Sequence, residues 1–170
     1  MSFETDDDEG SEDVELGGGM LQTAESVREY ILAGRATVTL RSQATRKRFT
    51  YKVTLKPASD LGAAKYFVSV LSGPDTYSRL GWFTAEPSIG DLLQTVRGGL
   101  GCETPAFKAF AWFWFKLHND ATCALAQTEV WHKGHCGRCG RELTVPESIA
   151  SGIGPECAAK MRMQAELANW

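Results

Sequence analysis

Thr37-Val-Thr-Leu40, a polar break over Ser42 to Lys47, and Phe49-Thr-Tyr-Lys-Val-Thr-Leu55 decide the architecture. Apolar and polar residues alternate on both sides of the break. Period two is the pattern of a strand with one buried face, so the spacing predicts a hairpin. Lys65-Tyr-Phe-Val-Ser-Val-Leu71 continues it as a third strand and Arg79 to Phe83 as a shorter fourth. Pro57 to Gly62 and Ser72 to Thr76 carry turn chemistry between them. No crossover helix separates these strands, so an antiparallel meander with one face open is expected.

Helices flank the meander. Thr23 caps one running to about Ala33, with Val27, Tyr30 and Ile31 on its apolar side and Gly34 as its stop. Ser88 and Asp91 read as a capping box for a second, continuing through Leu92, Leu93 and Val96. Thr104-Pro105 opens a third. There Phe107, Phe110, Ala111, Trp114, Phe115 and His118 recur at three- and four-residue steps, with Trp112 and Phe113 off the stripe. That density marks a central core helix; an exposed aromatic side would instead be a dimer or partner surface. Asn119 to Ala124 reads as a turn and Leu125 to Trp131 as a strand. The fold class is α+β, an antiparallel β-meander packed against helices.

Charge is unevenly placed. Residues 1 to 19 hold eight acidic side chains and no basic one, so a net of -3 leaves +5 for the rest. Residues 1 to 20 read as a disordered acidic tail. Arg35, Arg41, Arg46, Lys47, Arg48, Lys52 and Lys56 put seven cations into twenty-two residues with no acid among them, and Tyr51 lies between. Basic side chains with an aromatic on an open sheet face suit DNA or RNA: cations track the backbone while a ring stacks a base. Lysines that blunt an edge strand are the plainer account. The start lacks the basic and apolar regions of a signal peptide, and no run of eighteen apolar residues exists to span a bilayer. Five cysteines, an odd number, speak against a disulfide framework and for a reducing cytoplasm, with Cys102 and Cys123 as plain thiols.

The remaining cysteines carry the chemistry. In His132-Lys-Gly-His135-Cys136-Gly-Arg-Cys139-Gly-Arg141, two thiols stand at knuckle spacing, with glycines where amides must turn toward sulfur. Cys157 follows Gly154 and Pro155 and falls in the first turn of a helix to about Asn169, whose positive end favours a thiolate. Cys136, Cys139 and Cys157 with one histidine make a structural Zn2+ site. His132, at the end of a strand and four residues before Cys136, is the better placed fourth ligand, and His135 the other. A redox pair would open a helix in a βαβ context, which is absent here. Leu143 to Val145 reads as a return strand and Pro146 to Ala150 as a helical turn. Arg138 and Arg141 can line a basic surface beside the metal.

The run from Gly137 to Cys157 resembles the DUF6011 family. Cys136, Cys139, Gly140, Arg141, Leu143, Thr144, Pro146, Ser148, Ile149, Gly152, Gly154, Pro155 and Cys157 carry the resemblance, with His132 upstream. It covers about the last quarter of the chain. It implies a zinc-ribbon or treble-clef-like module, a setting in phage or other mobile-element proteins and a link to nucleic acid, but no reaction. The chain then divides into a tail (1–20), an α+β domain (21–126) and a zinc module (127–170). No His-Glu-x-x-His, deaminase, serine-elbow or Walker pattern is present. Four protein ligands leave no place for water on zinc, whereas three would reopen a zinc-dependent enzyme. The expectation is a binding protein for nucleic acid, or else a module that modulates a host or phage protein.

Overall fold

A computed structural model describes residues 18–85, 94–95 and 97–170. In chain order these form β1 (Gly19–Leu21), α1 (Ala24–Ile31), β2 (Arg35–Ser42), β3 (Arg48–Lys56), β4 (Lys65–Leu71) and β5 (Tyr77–Phe83). After them come β6 (Gln94–Thr95), α2 (Pro105–Asn119), α3 (Ala121–Gln127), β7 (Thr128–His132), α4 (Pro146–Ser151) and α5 (Pro155–Ala168). One antiparallel sheet joins all seven strands in the order β1-β7-β2-β3-β4-β5-β6. Its centre is the expected meander. No helix among the described residues is long and apolar enough to cross a membrane.

Three expectations need correction. Gly19 and Met20 belong to β1, so the acidic tail can extend no further than residue 18, and residues 1–17 lie outside those described. Residues 86–93 and 96 of the capping-box helix are also outside, but Gln94 and Thr95 pair with Trp82 and Gly81 as a strand. They satisfy backbone groups on the edge of β5, a demand that local capping chemistry does not reveal. Residues 121–127 are a helix, not a turn and the start of a strand. Asp120 accepts the Cys123 N–H at 3.1 Å, and alanines at 121, 124 and 126 favour the helix it starts.

The pleat sorts the side chains. Ala36, Val38 and Leu40 of β2, Tyr51 and Val53 of β3, Tyr66, Val68 and Val70 of β4, and Leu80 and Phe83 of β5 are buried on one side. Against them pack Val27, Tyr30 and Ile31 of α1 and Phe107, Phe110, Phe113, Trp114 and Leu117 of α2. Phe83 meets Phe110 and Trp114 at ring separations of 5.9 and 4.7 Å. Phe113, off the sequence stripe, is buried, while Phe115, on it, is 37% exposed; Trp112 is 38% exposed. The helix is turned slightly from the orientation that spacing alone suggests. The Arg28 guanidinium donates to the Leu117 carbonyl and fastens α1 to α2.

β7 lies between β1 and β2. The strand that leads to the cysteines is therefore an interior strand of the sheet, and the C-terminal segment is built onto the sheet. α1 completes the attachment. The Tyr30 ring lies so close to Gly137 and Gly152 that an added Cβ would stand 2.7 and 2.5 Å from it, and Gly152 has φ +73°. Gly152→Ala should cost about 2 kcal/mol or more, left-handed strain plus overlap with Tyr30. Gly98→Ala, at φ +75° with open space around it, should cost only the strain, about 1 kcal/mol. Urea unfolding of the two variants checks the difference.

Candidate metal centre

The segment after β7 is a tight loop held by backbone bonds. The Leu143 N–H reaches the Gly134 carbonyl at 2.8 Å and the Cys136 N–H that of Arg141 at 2.8 Å. The Gly140 N–H closes the knuckle on the Cys136 carbonyl at 2.9 Å, with Gly140 at φ +78°, a conformation suited to glycine. His135 and Glu142 form a single bridge where a return strand is expected. Across from the knuckle, Gly154 caps α5, Pro155 starts it, and Cys157 stands in its first turn.

This brings the Cys136, Cys139 and Cys157 sulfurs within 4.8 Å of one another. Around a tetrahedral ion with zinc–sulfur bonds of about 2.3 Å, sulfurs stand about 3.8 Å apart, so the set fits zinc with little closing. The hydrogen bonding fits as well. The Gly154 N–H donates to Cys136 Sγ at 3.3 Å. Burial opposes ionisation of Cys136, yet the Gly154, Cys139 and Arg138 amides and the Cys139 thiol together hold its pKa below the ordinary value. Burial pushes Cys157 up, and the neighbouring Cys139 and Cys136 sulfurs push it further. The helix start does not by itself make Cys157 a thiolate; a dication among the three sulfurs would.

Both histidines stand outside this group. His132 is 1% exposed. Its Nε2 bonds the Ile149 carbonyl at 2.7 Å and its Nδ1 accepts the Gly134 N–H at 3.0 Å. Those partners set the neutral tautomer with the proton on Nε2, and burial, the largest influence, lowers its pKa. His132 thus links β7 to α4, with a hydrogen bond at each ring nitrogen. His135 is exposed and its Nδ1 faces the Lys133 carbonyl at 3.0 Å. A hollow of about 190 Å³ borders the sulfurs, lined also by Arg141, Thr144, Ser148 and Glu156, and leaves room for a further donor.

The expected nucleic-acid residues scatter. Tyr51 is fully buried among the helices, its hydroxyl donating to the Ala106 carbonyl at 2.8 Å, so it cannot stack a base. The parity of β3 puts it opposite Lys52. Arg41 and Arg46 both bind Glu129 of β7, an acid nearly ninety residues away in sequence. Lys47, Arg48 and Lys52 are exposed. Arg138 bonds Gln164 at 3.1 Å and Arg141 pairs with Glu156 at 3.5 Å, on the metal side of the molecule. Phe67, Tyr77, Arg79 and Trp82, outside the expected set, are placed on the same outward side as the cations.

Residues 126–162 match DUF6011, a family of unknown function. No curated protein and no solved structure matches the chain. The DUF6011 segment runs from the end of α3 into α5 and contains all three clustered cysteines. Bound zinc would fix the knuckle to α5. Mass spectrometry under native conditions should show one zinc, lost in Cys157→Ala and kept in Cys102→Ala and Cys123→Ala. Acidification should release it, because protons compete for the thiolates. His132→Ala should lower the melting temperature yet retain zinc; loss of zinc at unchanged stability would return the histidine to the metal.

Proposed function

We propose that the protein is a zinc-stabilised binding protein that holds nucleic acid against the outward face of its sheet. One observation carries this reading. The central strands β2 to β5 contain Arg35, Arg41, Arg48, Lys52, Lys56, Lys65 and Arg79 and no acidic residue, and every one of these cations lies opposite the buried rows. Among the described residues only Arg41 of the seven has a carboxylate partner. Edge protection does not account for cations spread over four adjacent strands. A polyanion fits that field, and phosphates supply it at regular intervals. Zinc acts through folding: it secures the cysteine loop and α5, which follow the interior strand β7. Arg35 joins the two parts, its N–H on the Gly137 carbonyl at 2.7 Å.

A protein partner is the second reading, favoured by Met163, Leu167 and Trp170, which are all more than 60% exposed on and after α5. Fluorescence anisotropy with labelled nucleic acids at low salt separates the two. Wild type should bind, with affinity falling steeply as salt rises. Arg48→Glu, Lys52→Glu and Lys56→Glu together should weaken binding and make the plot of log K against log salt shallower by about two units, since three phosphate contacts are lost. Absence of binding to any nucleic acid at low salt would remove this reading and leave the protein partner.

A further inference from the structure

We infer that the outward sheet face takes a single strand, not a duplex, with a base seated on Phe67; this deepens the nucleic-acid reading above and rests on it. The rows of the sheet set out the argument. Lys52, Ser69 and Arg79 stand side by side across β3, β4 and β5. The next row is Thr54, Phe67 and Trp82, and Tyr77 lies beyond on the other side, paired with Leu71. Rings therefore alternate with cations at steps of two residues, about 6.6 Å along a strand. Proteins that hold single strands combine a positive surface for the backbone with aromatic faces for the bases. A duplex hides its bases, and reading it takes a helix or ribbon that enters a groove. The rows of this face are strands of a sheet, not a helix or ribbon that enters a groove.

The seat itself is shaped by an irregularity. Between Arg79 and Trp82, β5 places Leu80 and Gly81 against the single Val68 of β4, a bulge at Val68/Ser69. Leu80 turns inward and is fully buried, and Gly81 has no side chain. The outward row is thereby interrupted, and a hollow of about 360 Å³ opens, bordered by Thr54, Lys56, Phe67, Ser69, Arg79 and Gly81. A volume above about 300 Å³ is in the range of small-ligand sites. One ring, two cations and two hydroxyls around it match a nucleotide: a flat apolar face, a phosphate and polar edges.

Neighbouring rings are held ready. Lys65 Nζ lies 4.1 Å from the centre of the Trp82 ring and Lys52 Nζ 4.6 Å from that of Tyr77. Each ammonium rests on the face a base would use, and a base that displaces it frees the charge for phosphate. No such contact covers Phe67 among the described residues. Phe67 is therefore the platform open without rearrangement.

The test uses the full chain with labelled dT20 and rU20, a blunt duplex of the same length, and an abasic strand that keeps the phosphates and lacks the bases. Either single strand should bind at least about tenfold tighter than both the duplex and the abasic strand, the effect of roughly one stacked base. The part of the tryptophan fluorescence that Trp82→Phe removes should be quenched by dT20 and not by the abasic strand. Phe67→Ala should lose about tenfold for dT20, Phe67→Trp should restore it, and neither should alter binding of the abasic strand. Equal binding of dT20, duplex and abasic strand by wild type would overturn the single-strand inference while leaving the cationic face as a nucleic-acid surface. Absence of binding by all four would overturn both. The comparison of strands needs only wild type, so it decides the matter even should Phe67→Ala fail to fold.

Discussion

Tyr30 is the contact on which the two parts of the molecule depend. Its hydroxyl donates to the Thr37 carbonyl at 3.0 Å and accepts the Thr37 N–H at 3.2 Å, fixing α1 to β2 by both backbone groups of one residue. The ring then fills the space against Gly137 and Gly152 and lies 5.5 Å from the His132 ring. Burial raises its pKa to about 12, so the donor stays protonated at neutral pH. One side chain thus sets the helix on the sheet and the cysteine loop on the helix. The glycines are the counterpart of that ring: a side chain at either position would separate the loop from α1.

The sheet supplies the other constraint. Its pleat places apolar side chains toward α1 and α2 and cations toward the open side, and the two consequences cannot be separated. A residue shift in register would exchange them. Glu129 shows how the field is trimmed. It draws Arg41 and Arg46 to one end of the hairpin and also accepts the Trp131 indole N–H at 3.1 Å. Burial works against its charge, but those partners keep the carboxyl below its ordinary pKa. Positive charge free of such pairing remains on Arg35, Lys47 and Arg48 and continues over β3 to β5, beside Phe67 and Trp82.

Local signals carried the meander and the knuckle. Alternation over Thr37 to Leu71 fixed strand identity and, by parity, which residues face the core. Applied strictly it would also have put Tyr51 inward, since it shares parity with Val53 and not with Lys52. Cysteine spacing made Cys136 and Cys139 readable because the knuckle is only a few residues long, and Pro155 marked the helix start that carries Cys157. Long-range pairing was not readable. The place of β7 between β1 and β2, the strand character of Gln94 and Thr95, and the grip of Glu129 on two arginines are settled by partners far away in sequence. The surroundings of His132 were not readable either: its spacing suits a ligand, and only the fold shows the Ile149 carbonyl on Nε2 and the Gly134 N–H on Nδ1.

α5 makes the case for metal as a fastener. Of its fourteen residues only Cys157 is buried, with Ala158 and Met161 half-buried behind it. Its C-terminal turns hold Met163, Leu167 and the adjoining Trp170 in the open. Hydrophobic burial therefore holds this helix at one end only, and an isolated helix of about 14 residues is marginal in water. The polar ties are two exposed contacts, Arg138 to Gln164 and Arg141 to Glu156, of the kind that contributes little. What remains is the cluster of sulfurs at the first turn. Three thiols packed together repel one another once ionised and lose a helix-anchoring bond when protonated. A zinc ion would turn the same three groups into attachments, joining the first turn of α5 to the loop that Tyr30 holds.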